Sequence, residues 1–139
     1  MFTTKTQRAQ RATKELREEN PLSNAVIGCA IDVHRALGPG LLESVYEECL
    51  TIEFAAKGIP FERQKAVPIT YRDRRLQTCL RLDLLVSDLV IVEVKAIEAL
   101  LPIHEAQLLT YLRLSGRRLG LLINFNVPAV KDGIQRIAL

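Results

Sequence analysis

Residues 76–86 alternate strictly. Leu76, Thr78, Leu80, Leu82, Leu84 and Val86 fall on one face, and Gln77, Cys79, Arg81, Asp83 and Leu85 on the other. Period two is the repeat of a β-strand, so one of these faces belongs to a core. A second run, residues 89–96, follows after a very short spacer: Val90, Val92, Val94 and Ala96 share a face, and Leu89, Ile91, Glu93 and Lys95 share the other. Two strands joined so closely form an antiparallel hairpin.

On either side of this pair the pattern differs. Val26, Ile27, Ala30, Val33 and Leu37 recur at helical spacing, with Ser23 or Asn24 as N-cap and Gly38-Pro39-Gly40 as terminator. A second helix is predicted over residues 41–57, with Leu42, Val45, Cys49, Ile52 and Ala56 as its apolar stripe and Gly58 as its stop. Residues 61–71 read as a strand, and Arg72-Asp73-Arg74-Arg75 as a polar turn into the next one. A helix over 103–114, between Pro102 and Ser115-Gly116, and a strand over 119–125 complete the order helix, helix, three strands, helix, strand.

Residues 1–20 are polar, with five basic and three acidic side chains, and end at Asn20-Pro21, an expected break. They read as a charged tail or solvated helix ahead of a single domain over 21–139. With 139 residues and 48% hydrophobic content the chain has room for one core, and a net charge of +3 is far below that of dedicated nucleic-acid binders. Cys29, Cys49 and Cys79 show no metal or redox spacing and read as reduced core residues. No apolar run is long and uncharged enough to span a membrane, so the expectation is a cytoplasmic protein.

Asp83, Glu93 and Lys95 interrupt apolar strands, where an unpaired charge costs several kcal/mol or is neutralised. With a three-residue loop, Ser87-Asp88-Leu89, Asp83 lies opposite Glu93; with a two-residue loop it turns away. Two facing carboxylates repel unless a cation or a proton lies between them, and an all-oxygen site suits Mg²⁺ or Mn²⁺. Lys95 shares the face of Glu93, where an ammonium could activate a water for phosphodiester hydrolysis. The competing assignment is a structural salt bridge to Asp83 or Glu93.

Asp83 followed by Glu93-Val94-Lys95 resembles the D…(D/E)-x-K signature of the PD-(D/E)XK nuclease superfamily. Gly40-Leu41-Leu42-Glu43-Ser44-Val45-Tyr46 resembles the G-x-x-E-x-x-Y motif of the GxxExxY family, a small bacterial branch of it. The likeness extends through Phe61-Glu62-Arg63-Gln64, the stretch from His104 to Leu112, and Gly120 to Phe125, so that it covers residues 22–126.

The resemblance implies a restriction-endonuclease-like α/β domain, an αβββαβ core with a mixed four-stranded sheet flanked by helices and one extra N-terminal helix. It implies that Asp83, Glu93 and the main-chain carbonyl of Val94 bind Mg²⁺ (or Mn²⁺) and that Lys95 positions the attacking water. Glu43 and Gln107 would support catalysis, and Arg81 and Tyr111 would contact substrate. Here Leu80-Arg81-Leu82-Asp83 departs from the usual Tyr-Arg-x-Asp run, keeping the arginine and losing the aromatic. His34 reads as a packing or hydrogen-bonding residue supporting the Gly38-Pro39-Gly40 turn, and His104 as a residue near phosphate at a helix start. The expected function is metal-dependent hydrolysis of nucleic acid, DNA foremost, with a second copy or a protein partner as a source of specificity. The alternative is a non-catalytic nucleic-acid- or protein-binding module on the same fold.

Overall fold

Gly58 separates a helical half of the chain from one dominated by strands. The computed structural model describes residues 4–139, with side chains from Glu19 onward. Two helices, α1 (Thr4–Leu37) and α2 (Glu43–Ala56), precede strands β1 (Phe61–Tyr71), β2 (Arg74–Val86) and β3 (Val90–Lys95). Helix α3 (Pro102–Ser115) then leads to β4 (Leu119–Asn124), a 3₁₀ turn (Val130–Gly133) and β5 (Ile134–Ala138). The sheet order is β1-β2-β3-β4-β5. Only β3 and β4 pair in parallel, which the α3 crossover requires. The mixed sheet and its flanking helices are those of a restriction-endonuclease-like α/β domain.

Two differences from the sequence reading concern the ends. A fifth strand, β5, pairs antiparallel with β4 and makes the sheet five-stranded rather than four-stranded. Its five residues, with Gln135 and Arg136 in the middle, carry too short an apolar pattern to announce a strand. The expected break at Asn20-Pro21 is absent, for α1 runs straight through Pro21. Proline removes one helical hydrogen bond, yet Leu22, Val26, Cys29 and Ala30 just after it pack into the core, and that burial outweighs the local penalty. Ser23 is therefore inside the helix rather than capping it. The charged side chains of residues 1–18 lie outside the described residues.

The sheet has a core on each face. Val26, Cys29, Ala30 and Val33 of α1 and Tyr46, Leu50 and Phe54 of α2 cover Leu84, Val86, Val92, Val94, Leu121 and Ile123. On the other face Leu108 and Leu112 of α3 cover Leu80, Leu82, Leu85, Ile91 and Leu122. The buried stripe of α2 is thus Tyr46-Leu50-Phe54, and Leu42 and Ile52 of the expected stripe are 74% and 61% exposed. The reason is area: the aromatic stripe removes more apolar surface from water, and Tyr46 stacks on Phe125 with ring centroids 4.5 Å apart.

The single inward face expected for residues 76–86 also divides. Leu80 and Leu82 pack beneath α3, whereas Leu84 and Val86 pack beneath α1 and α2. The pleat is interrupted at Asp83 and at Gln64, which lies across from it on β1 and has φ of 53°. Pairing resumes on both sides of the gap, Arg63 with Leu84 and Lys65 with Leu82, so the register survives while the side chains change faces.

Candidate metal centre

Strands β2 and β3 pair as Leu84 with Val92, Leu85 with Ile91 and Val86 with Val90, the three-residue-loop register. Continuing it one step puts Asp83 across from Glu93, where side chains take over from the ladder. The Val94 N–H donates to Asp83 Oδ2 at 2.8 Å, and the Asp83 N–H donates to Glu93 Oε1 at 3.2 Å. Each carboxylate is held by the opposing strand's backbone, so both are fixed in place.

Glu93 is 5% exposed, and burial followed by the neighbouring Asp83 charge pushes its carboxyl up to about 9. Lys95 acts in the opposite direction and only in part. Among the described residues, no three His, Cys, Asp or Glu side chains are gathered closely enough to enclose a metal ion. What the structure presents is a two-carboxylate edge. Its chemistry fits a hard divalent cation: the donors are oxygens, the pair lacks a full counter-charge, and Mg²⁺ retains several waters when protein donors are few.

Asp83 and Val94 open onto a cleft of about 550 Å³ that is also lined by Leu41, Leu42, Glu43, Ser44, Glu47, Gln64 and Ala96. Glu43 occupies the first turn of α2, where the helix dipole favours a carboxylate. Its Oε1 lies 3.4 Å from the Ala96 N–H, just beyond the end of β3. Tyr46 sets this approach: its hydroxyl donates to the Gly38 carbonyl at 2.6 Å and accepts from the Leu41 N–H at 3.1 Å. The G-x-x-E-x-x-Y spacing thus puts a cleft carboxylate and the anchor of the preceding turn on one helix.

Glu47, in the cleft, and Asn124, behind it in sequence at the end of β4, escaped the sequence reading. Glu47, buried on α2, accepts from Gln64 Nε2 at 2.7 Å and from Arg63 Nη2 at 3.3 Å. That contact holds Gln64 in its left-handed conformation, and with it the β1–β2 irregularity that exposes Asp83 to the cleft. The available signal was Glu47 one turn beyond Glu43, on the same face. Asn124, at the end of β4, accepts from the Ile97 N–H at 3.1 Å and donates to the Ile97 carbonyl at 3.0 Å, pinning the chain just after Lys95.

The remaining candidates lie around this centre. Tyr111 of α3 hydrogen-bonds Gln107; burial first, then the charges of Glu93 and Asp83, raise its phenol above the ordinary value. Arg81 is exposed and donates to the Gln64 carbonyl at 3.3 Å. The histidines stand apart. His34 Nε2 pairs with the Val127 carbonyl at 2.8 Å, so its ring ties α1 to the chain after β4 rather than to the glycine turn; its own carbonyl accepts from the Gly38 N–H. His104 Nδ1 accepts from the Leu101 N–H at 2.9 Å and closes the start of α3.

A sheet whose β2 and β3 carry facing carboxylates, followed on β3 by a lysine, with α2 closing one side and α3 crossing the other, defines the PD-(D/E)XK architecture. The model of the PD-(D/E)XK nuclease superfamily matches residues 20–137, and the chain belongs to that superfamily. No curated protein and no solved structure matches it. No helix among the described residues is long and apolar enough to cross a membrane.

Proposed function

We propose that the protein is a metal-dependent nuclease that hydrolyses phosphodiester bonds, with DNA as its substrate. The observation that carries this is the Asp83–Glu93 pair, cross-linked through backbone N–H groups and short of positive charge, with Lys95 on the same strand. Asp83, Glu93 and the Val94 carbonyl would hold Mg²⁺ or Mn²⁺, which would supply Lewis-acid stabilisation of the phosphate. Lys95 positions the attacking water and takes part in its deprotonation. Glu43 bounds the cleft on the α2 side, Gln107 and Tyr111 orient phosphate or water from α3, and Arg81 contacts the substrate backbone. The G-x-x-E-x-x-Y segment supports placing the protein in the GxxExxY branch.

The test is cleavage of labelled DNA and RNA with Mn²⁺ or Mg²⁺ by wild type, Glu93→Gln and Lys95→Ala, each checked for folding. Cleavage is expected from wild type, and each substitution is expected to reduce it by about 10²-fold or more. Cleavage that survives both substitutions would remove the chemistry from this centre.

A further inference from the structure

The β1–β2 hairpin is longer than the sheet needs. The pairing of β2 with β3 covers Leu84 to Val86, while β1 continues to pair with β2 as far as Tyr71 with Arg74. The excess passes the end of β3 that carries Glu93 and Lys95, so the arm leaves the sheet on the side of the metal centre. As far as Val67, Ile69, Leu80 and Leu82 one face of it rests on the α3 core. Residues 70–78 are exposed on both faces.

This arm carries a local excess of positive charge. Arg72, Arg74, Arg75 and Arg81 against Asp73 give residues 70–81 a charge of +3, the same as the whole chain; 15 of its 19 basic and 15 of its 16 acidic side chains lie elsewhere. No ion pair to Arg72, Arg74, Arg75 or Arg81 is seen among the described residues.

The turn itself runs against local preference. Arg72 and Asp73 have φ of 49° and 61°, the conformation of a two-residue hairpin turn that favours Asn-Gly or Asp-Gly. Arginine there gives up stability that a small residue would keep, and such departures collect at functional positions. Its guanidinium lies 5.8 Å from the centre of the Tyr71 ring, which stiffens the tip.

We propose that this arm is a duplex-DNA-binding ribbon, with Arg72, Arg74 and Arg75 on the phosphates and the tip in the major groove. The inference rests on the nuclease reading above and names the form of its substrate. A two-stranded ribbon fits the wide major groove of B-form DNA, whereas the deep, narrow major groove of A-form RNA excludes it. Tyr71 is the only aromatic in residues 70–81, a single ring rather than the succession of rings on which single-stranded bases stack. From Asp83 to Arg74 the strand spans roughly 30 Å at about 3.3 Å per residue, or about nine base pairs of duplex.

The test is fluorescence anisotropy of the full chain, in EDTA, with a DNA duplex of about 30 base pairs over a range of salt. The variants are Arg72→Gln/Arg74→Gln/Arg75→Gln and the corresponding triple lysine substitution, with the melting temperature of each compared to wild type. The glutamine variant should bind at least tenfold more weakly near 0.1 M salt, with the slope of log K against log salt reduced by about two to three. The lysine variant should retain most of both. Equal affinity and slope for the glutamine variant and wild type would overturn the proposal. So would a wild-type preference for duplex RNA or single strands, or no binding at all. Wild-type cleavage with Mn²⁺ is scored separately: loss of cleavage with arm-dependent binding intact defeats the nuclease reading, and cleavage with arm-independent binding defeats only the ribbon.

Discussion

At the scale of single residues, Glu93 sets the protein's response to pH. Without metal its carboxyl is raised to about 9 in the fold, against an ordinary value of 4.5. The unfolded chain therefore releases this proton first, and the associated stability, complete below about pH 4.5, is lost progressively as pH rises through 9. Metal-free protein should melt at lower temperature at pH 8 than at pH 5. Glu93→Gln keeps an oxygen for the Asp83 N–H and carries no charge, so it should raise the metal-free melting temperature at pH 8 by several degrees and flatten that slope, in a calorimetric pH series. Tyr46 gives a second prediction. Tyr46→Phe preserves the stack on Phe125 and removes both hydroxyl contacts that fasten the Gly38–Leu41 turn. It should cost about 1–2 kcal/mol in urea unfolding, without an altered m-value. Asp83 and Glu93 were legible in the sequence because charge inside an apolar alternation is conspicuous. Glu47 and Gln64 were not, because their roles depend on one left-handed backbone angle that no pattern of residue types encodes.

At the scale of elements, the well-punctuated segments were legible and the compensated ones were not. Gly58 and Gly116 both have positive φ and end α2 and α3 where the sequence places their ends. Pro21 misled because the packing of Leu22, Val26 and Cys29 just after it outweighs the local penalty, and β5 was missed because five residues against one neighbouring strand show little period. The attachment of β5 depends on Gly133. A Cβ there would collide with the Asn124 main-chain oxygen and lie 3.1 Å from Val127 Cγ2, and the Asn124 backbone cannot yield cheaply. Gly133→Ala should destabilise the domain by about 1–3 kcal/mol or more. Hydrogen exchange should quicken first in residues 134–138 and then at the Ile97 amide, which Asn124 holds.

At the scale of the whole molecule, the centre joins three layers, with α2 in front, β2 and β3 in the sheet and α3 behind. A cation that binds the native state alone should stabilise all three together, by about 2.7 kcal/mol when free metal is a hundredfold above Kd. Thermal scans with Mg²⁺, Mn²⁺ and EDTA should show that rise for wild type and its loss in Glu93→Gln; an equal rise in both would assign the effect to another site. The hairpin tip stands outside this cooperative unit. Because residues 70–78 belong to neither core, side-chain substitutions there, the two left-handed turn positions apart, change stability little. Heritable change can accumulate at the tip at little cost to the fold, while the carboxylates at its root are held by backbone contacts across β2 and β3. Nine side chains at the tip can therefore vary while the two cores and the facing carboxylates at the root of the hairpin stay as they are.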